Sequence, residues 1–186
     1  MLPRTHPAHR RVLEAAARKG VALDIVTFPE STHTAEEAAR AVEAELGQIV
    51  KSLVFVGRDD EGNPEPYVAL VGGADRVDVG RLAAVVGQAE IRRASATEAR
   101  ELTGFTIGGI PPIGHARPAK IVMDPELGRF PTVWAAAGTP NAVFEVPPAT
   151  LRNLSNATVA PIADETYRAA RGSAPGNAPA SAASGA

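Results

Sequence analysis

Cysteine is absent from the 186 residues of this chain. Its absence excludes disulfide bridges, thiolate metal ligands and a cysteine nucleophile, and it fits a reducing compartment. Aromatic residues make up only 4% of the sequence, so valine, leucine, isoleucine and alanine must fill the core. No run approaches the ~18 consecutive apolar residues of a membrane span. The first 11 residues lack the apolar segment of a secretory signal peptide, so we expect a cytoplasmic protein.

An excess of positive charge is also missing. Lysine and arginine number 19 against 21 aspartates and glutamates, which gives a formal net charge of −2. Proteins that hold nucleic acid along a broad face are usually basic, so any contact with RNA must be local. We expect no DNA partner and no membrane partner. The sequence has no P-loop, no Rossmann fingerprint and no His/Asp/Glu cluster with metal-ligand spacing.

The length and the apolar content of 45% suit one domain, which we assign to residues 1–170. Residues 171–186 are mainly alanine, serine, glycine and proline, and we predict a disordered tail there. Periodicity and capping signals predict helices at 5–19, 34–46, 77–86, 95–103 and 149–154. Strands are predicted at 21–28, 49–56, 67–71, 120–123, 132–137, 142–146 and 158–162. Strict βαβ alternation is missing, which favours an α+β fold around a mixed, mostly antiparallel sheet, curled towards a barrel.

Lys51 interrupts the otherwise apolar strand predicted at 49–56. Most lysines on strands are solvated, and the alternation of this segment permits that ordinary role. The functional alternative is a cation held at the sheet surface to meet a phosphate or hydroxyl oxygen of a ligand. The segment alone leaves both alternatives open.

A loop at 103–115 contains four glycines and two prolines within eleven residues. Such a backbone can approach a ligand closely and present N–H groups to a carbonyl oxygen or an oxyanion. A plain connecting loop is the alternative, although the interleaved apolar residues disfavour a merely solvated segment. His115 lies at the end of the loop without an acidic neighbour to orient it, so we do not assign it as a base. The centre of the loop is Gly108, Gly109, Ile110, Pro111 and Pro112.

Four segments in order resemble the YbaK/EbsC-type, prolyl-tRNA-editing superfamily. They are 46–55, with Leu-Gly followed by Ile-Val-Lys-Ser-Leu-Val-Phe; 69–78, with Val-Gly-Gly-Ala-Asp-Arg-Val-Asp; 103–115; and 133–141, ending in Gly-Thr-Pro-Asn. Each motif alone is weak, whereas the ordered set, over roughly 23–163, is fairly specific.

The resemblance implies a distorted barrel with flanking helices and hydrolysis of the ester of a mischarged tRNA. Members of the family often remove Ala or Cys, most often from tRNA(Pro), without a metal, an organic cofactor or a covalent nucleophile. A hydroxyl of the terminal adenosine is thought to help activate water. The family lysine falls on Lys51, and the family G-x-x-x-P loop falls on 108–112. The implied partners are the 3′-CCA aminoacyl end of a mischarged tRNA and a prolyl-tRNA synthetase.

The turn at 138–141 departs from some relatives, which carry a histidine there. Asn141 can hydrogen-bond a substrate group but cannot act as a base near neutral pH. We nevertheless predict Gly138 and Asn141 as substrate-binding residues, together with the loop at 108–112. The choice of amino acid stays open at this position.

Two alternatives to an editing enzyme are compatible with the sequence. One is an inactive module of the same fold that binds tRNA, an aminoacyl group or a synthetase, which Asn141 favours and the intact Lys51 disfavours. The other is a small-molecule hydrolase or effector-sensing domain without an RNA partner, which the net charge of −2 permits. Release of amino acid from a mischarged tRNA separates the first alternative from the enzyme, and binding to a 3′-CCA minihelix separates the second.

Overall fold

The computed structural model describes residues 5–172 and forms one mixed sheet with helices on both of its faces. The helices are α1 (Pro7–Ala17), α2 (Ala35–Ala41), α3 (Val79–Val86), α4 (Ala96–Thr103), α5 (Pro148–Ser155) and α6 (Glu165–Gly172). The strands are β1 (Ile25–Thr27), β2 (Ile49–Arg58), β3 (Pro64–Gly72), β4 (Arg92–Arg93), β5 (Lys120–Met123), β6 (Val133–Ala136), β7 (Ala142–Val146) and β8 (Thr158–Val159). Short 3₁₀ turns occupy Leu46–Gln48 and Pro125–Arg129.

The strand order is β1-β7-β6-β2-β3-β5-β8, with β4 paired to β2. The β1–β7, β6–β7, β2–β3 and β2–β4 pairs are antiparallel, and the β2–β6, β3–β5 and β5–β8 pairs are parallel. These pairs confirm the predicted α+β fold with a mixed, mostly antiparallel sheet. The two end strands, β1 and β8, are not paired with each other, so the sheet stays open and the predicted curling does not close a barrel.

Within the described chain, one edge of strand β2 is left unpaired over its middle residues, which leaves a gap in the sheet. One of its edges pairs with β3 along its whole length. The other edge pairs with β6 at Ile49 and Val50 and with β4 at Phe55 and Val56. Residues 51–53 lie between these two partners and face no strand of the described chain on that edge. This gap positions the cavity described below.

Alternation along β2 and β3 divides the apolar side chains between two faces. Val50, Val54 and Val56 point into the larger core, which α1, α4 and α5 cover. Phe55 packs with Tyr67 in a second cluster, which α3 covers. Lys51 shares the second face with Phe55, and the next residue along the strand points to the opposite face.

Local capping signals explain several helix ends. Ser95 and Glu98 form the predicted capping box of α4, and Gly104 ends this helix in the left-handed conformation at φ +77. Helix α1, in contrast, starts from His6 rather than from Thr5, because the His6 ring accepts a hydrogen bond from the Ala8 amide at 3.2 Å.

Some predicted boundaries were wrong. Helix α2 stops at Ala41 instead of reaching 46, because Glu43 adopts φ +55 and turns the chain. The strand predicted at 21–28 is reduced to Ile25–Thr27, and the one at 158–162 to Thr158–Val159. Strand β4 and helix α6 were not predicted.

Helix α6 extends into the segment that we predicted as a tail. It includes Arg171 and Gly172, and Arg171 donates to the Ala74 carbonyl at 3.1 Å. The rest of the predicted tail, 173–186, lies outside the described residues. No helix within residues 5–172 is long and apolar enough to cross a membrane.

Candidate functional site

A cavity of ≈ 240 Å³ opens at the gap in the sheet beside β2. One wall comes from the segment that leads into α2, and the opposite wall comes from the glycine-rich loop and the turn after β6. Lys51, Gly108 and Ile110 all line this cavity, although Lys51 lies far from the other two in sequence. Gly109, Pro111, Pro112, Gly138 and Asn141 are not among the lining residues. Ser52, Arg93 and Pro140 also line the cavity.

The Lys51 ammonium is half-buried and donates a hydrogen bond to the backbone carbonyl oxygen of Asp75. Burial lowers the pKa of Lys51 from its ordinary value, and the Asp75 and Glu36 carboxylates oppose that change. The nearby charges of Arg93 and Arg171 lower the Lys51 pKa further. The lysine is therefore an anchored cation at the cavity and not a freely moving surface side chain.

The acceptor of Lys51 is itself fixed by helix α6. Arg168 binds the Asp75 carboxylate through two nitrogens, at 3.0 and 2.9 Å. The same guanidinium reaches the Asp124 carboxylate at 3.1 Å. Asp124 is only 1% exposed, and its second oxygen accepts from the amides of Ile162 and Ala163. A chain of contacts thus connects the buried Asp124 carboxylate, helix α6 and the loop at Asp75 that accepts from Lys51.

The glycine-rich loop is held rigidly against the turn after β6. Gly108 has φ +93, a conformation that favours glycine, and Gly109 lies so close to that turn that a Cβ atom would approach the Thr139 backbone to 2.6 Å. Pro111 and Pro112 are buried. This packing places Gly108 and Ile110 at the cavity.

His115 stabilises this loop from outside the cavity. Its Nε2 donates to the Pro111 carbonyl at 2.6 Å, and burial lowers the pKa of the imidazole. The ring also packs edge-on against Phe105, with 6.5 Å between the ring centroids. His115 is occupied with loop structure, in line with its not being assigned as a base.

Gly138 and Asn141 shape the turn that carries Pro140. The Asn141 side chain donates to the Phe28 carbonyl at 3.1 Å and accepts from the Thr139 hydroxyl at 2.9 Å. Gly138 has φ +103, and a Cβ there would meet Ala8 at 2.9 Å. The amide of Asn141 is therefore engaged within the protein, and it is Pro140 that faces the cavity.

Among the polar residues of the cavity that sequence reasoning did not assign to a site, Ser52 and Arg93 lie at the gap in the sheet. The Ser52 hydroxyl is buried and has no hydrogen-bond partner, and it is the only such side-chain atom among the described residues. Arg93 lines the cavity without a carboxylate partner within residues 5–172. Ser52 directly follows Lys51, but nothing in a strand sequence shows that its neighbouring edge is open. Arg93 belongs to the two-residue strand β4, which is too short to leave a periodic pattern.

The cavity thus combines apolar walls with a few fixed polar groups. Its polar lining includes two cationic residues, hydroxyl side chains, an imidazole and a glycine backbone: Lys51, Arg93, Ser52, Thr32, Thr34, His33 and Gly108. This lining suits a ligand with negatively charged or carbonyl oxygens beside a small apolar group. Such groups stabilise charge on oxygen and need no side-chain nucleophile.

The aminoacyl-tRNA editing domain is the family whose model matches this chain, over residues 29–154. The Ser/Thr-tRNA deacylase ProXp-y of Escherichia coli K12 is 30% identical over 131 residues, which cover 70% of this chain and 77% of that protein. The candidate Cys-tRNA(Pro)/Cys-tRNA(Cys) deacylase EbsC of Enterococcus faecalis is 27% identical over 73% of this chain and 80% of its own length.

Among solved structures, the chain is similar to the crystal structure of a candidate trans-editing enzyme for prolyl-tRNA synthetase. The two share 48% sequence identity with a TM-score of 0.78. The match covers 86% of this chain and 98% of the other. Helix α6 lies beyond the residues that the family model matches.

Proposed function

This chain belongs to the family of aminoacyl-tRNA editing domains, and we propose that it is a trans-editing deacylase that hydrolyses the ester of a mischarged tRNA in the cytoplasm. The observation that supports this most strongly is the convergence of Lys51 and the glycine-rich loop on one small cavity. A ribose-linked aminoacyl ester has the oxygens that these groups can bind, and the apolar walls suit the side chain of a small amino acid.

The proposed reaction is attack of water on the ester carbonyl carbon. The bond between this carbon and the ribose oxygen breaks, the amino acid leaves as a carboxylic acid, and the ribose oxygen takes up a proton. Lys51 stabilises negative charge on the substrate's ribose or phosphate oxygens, and the backbone at 108–112 binds the aminoacyl end. A hydroxyl of the terminal adenosine, rather than a side chain, assists the water.

Ala-tRNA(Pro) and Cys-tRNA(Pro) are the substrates that we propose. The cavity of ≈ 240 Å³ has room for a small side chain, and a prolyl-tRNA synthetase is the proposed source of the error. The relatives' names cover Cys-tRNA and Ser/Thr-tRNA, so the preference of this protein among small amino acids needs a test of its own. Its test compares release of labelled amino acid from Ala-tRNA(Pro) and Cys-tRNA(Pro) with release from Ser- and Thr-charged tRNA. Faster hydrolysis of the Ser and Thr substrates would contradict it.

Gly108→Ala tests the glycine-rich loop. Its Cβ would have room, with Pro140 at 3.8 Å, but the φ of +93 strains any residue other than glycine. We expect a cost of about 1–2 kcal/mol in stability and a roughly tenfold slower deacylation, because the loop shifts at the cavity. Gly62→Ala is the matched control, since Gly62 has φ +83 in the β2–β3 hairpin with nothing within 4 Å. Equal activity losses in both variants would rule out a special role for Gly108.

Ser52→Ala should have opposite effects on stability and activity. The hydroxyl has no partner in the free protein, so its removal should leave stability unchanged or raise it by up to about 1 kcal/mol. If the hydroxyl binds substrate, kcat/KM falls roughly tenfold. Ser155→Ala provides the contrast, because the buried Ser155 hydroxyl donates to the Leu151 carbonyl at 2.7 Å on α5. That variant should lose stability and keep its activity, and a Ser52→Ala protein with the same behaviour would contradict the prediction.

A further inference from the structure

Arg93 occupies one border of the gap in the sheet and lines the same cavity as Lys51. Its guanidinium lies over the Phe55 ring, with 5.4 Å between its central carbon and the ring centroid. Within residues 5–172 this guanidinium has no carboxylate partner. The neighbouring Arg92 does not line this cavity, and it binds both oxygens of Glu98, at 2.8 and 2.6 Å.

Lys51 and Phe55 are four residues apart on β2. Because side chains alternate between the two faces of a strand, these two project from the same face of the sheet. Arg93 therefore stands on the face from which Lys51 projects, at the other end of the gap. The backbones of Lys51 and Phe55 are about 13 Å apart along the strand, and Lys51 and Arg93 both line the cavity at the gap. Their charges interact, since Arg93 contributes to lowering the pKa of Lys51.

We propose that Arg93 binds the 5′-phosphate of the terminal adenosine of the tRNA, while Lys51 lies at the ester end of the same nucleotide. This inference rests on the proposed deacylase function, and it assigns each of the two cations to one end of the terminal nucleotide. A nucleotide carries its phosphate and its 3′-oxygen on opposite sides of one ribose, which matches two cations on one face at the two ends of a gap.

The chemistry of a phosphate group favours an arginine at position 93. A guanidinium can donate two parallel hydrogen bonds to a phosphate, and an arginine already held by a carboxylate would have to give up that pairing. Glu36 is the acidic group that acts on Lys51 from the α2 side, and it has no hydrogen bond or ion pair with Arg93. A protein with a net charge of −2 must hold RNA through local contacts of this kind.

A matched substrate pair tests the subsite: aminoacyl-adenosine with and without a 5′-phosphate. The wild-type protein should hydrolyse the phosphorylated compound with a kcat/KM about ten- to a hundredfold higher. Arg93→Gln should abolish that preference, because it should slow hydrolysis of the phosphorylated compound far more than hydrolysis of the phosphate-free one. Arg93→Lys should restore part of the preference, because it keeps the charge but not the planar fork.

Arg92→Gln is the control, because it removes the same charge from the same strand outside the cavity and should keep the preference in full. Equal slowing of both substrates by Arg93→Gln, or a preference that survives it, would overturn the phosphate subsite alone. Failure of the wild-type protein to hydrolyse either compound or any mischarged tRNA would overturn the deacylase function and the subsite together.

Discussion

Lys51→Ala should lower deacylation roughly a hundredfold or more while the protein keeps its fold. Removing a cation that pairs with a nucleotide oxygen in a partly desolvated site costs on the order of 2–4 kcal/mol of transition-state stabilisation. The folded state loses little, because the ammonium makes a single hydrogen bond, to the Asp75 carbonyl, and its burial is unfavourable for a charge. The measurement is single-turnover release of amino acid, combined with a thermal melt of each protein.

Two further variants separate charge from shape. Lys51→Arg keeps the charge but not the compact ammonium, so it should recover only part of the rate. Lys120→Ala is the matched control, because Lys120 is also a strand lysine but is paired with Glu65 at 3.1 Å outside the cavity. An unchanged rate for Lys51→Ala on every tRNA that the parent accepts would show that Lys51 has no part in the reaction.

Arg168→Ala should have the largest effect on stability. It leaves the buried Asp124 without its cation, although backbone amides still bind that carboxylate, and we expect a loss of about 2–3 kcal/mol. For a chain of this size that lowers the melting temperature by roughly 5–10 °C. Below the melting temperature kcat should fall roughly tenfold, with KM nearly unchanged, because Arg168 no longer fixes Asp75, whose carbonyl accepts from Lys51.

Arg81→Ala is the control for this variant. Arg81 pairs with Glu165 at 3.0 Å and so holds the same helix, α6, through an exposed contact. Exposed pairs contribute about 1 kcal/mol or less, so this variant should stay close to the parent in both stability and rate. An Arg168→Ala protein that behaves like Arg81→Ala would contradict the proposed link between α6 and Lys51.

The elements that sequence reasoning predicted best are those with local signals. The capping box at Ser95 marks the start of α4, and Gly104 marks its end. Strands β5 and β7 have the predicted bounds. Helix α6 has no buried residue and runs into the alanine-rich segment that follows, so its composition did not separate it from the predicted tail. The early end of α2 depends on the positive φ of Glu43, which no residue pattern indicates.

The site was predictable in part for a related reason. Lys51 and the loop at 108–112 stand in motifs that can be recognised one at a time, and the structure places Lys51 and Gly108 at one cavity. The contributions of Ser52 and Arg93 depend on the gap between β6 and β4, which exists only once three distant strands meet. Arg168 likewise gains its importance from Asp75 and Asp124, which lie far from it in sequence.

The most direct test of the account is a deacylation panel with the wild-type protein. The substrates are tRNA(Pro) charged with Ala, Cys or Pro, together with Ser- and Thr-charged tRNA, each labelled on the amino acid and incubated with enzyme or buffer alone. A deacylase of this family should release a small non-cognate amino acid well above the buffer rate and leave Pro-tRNA(Pro) intact. Release at the buffer rate from every substrate would contradict the assignment as a deacylase.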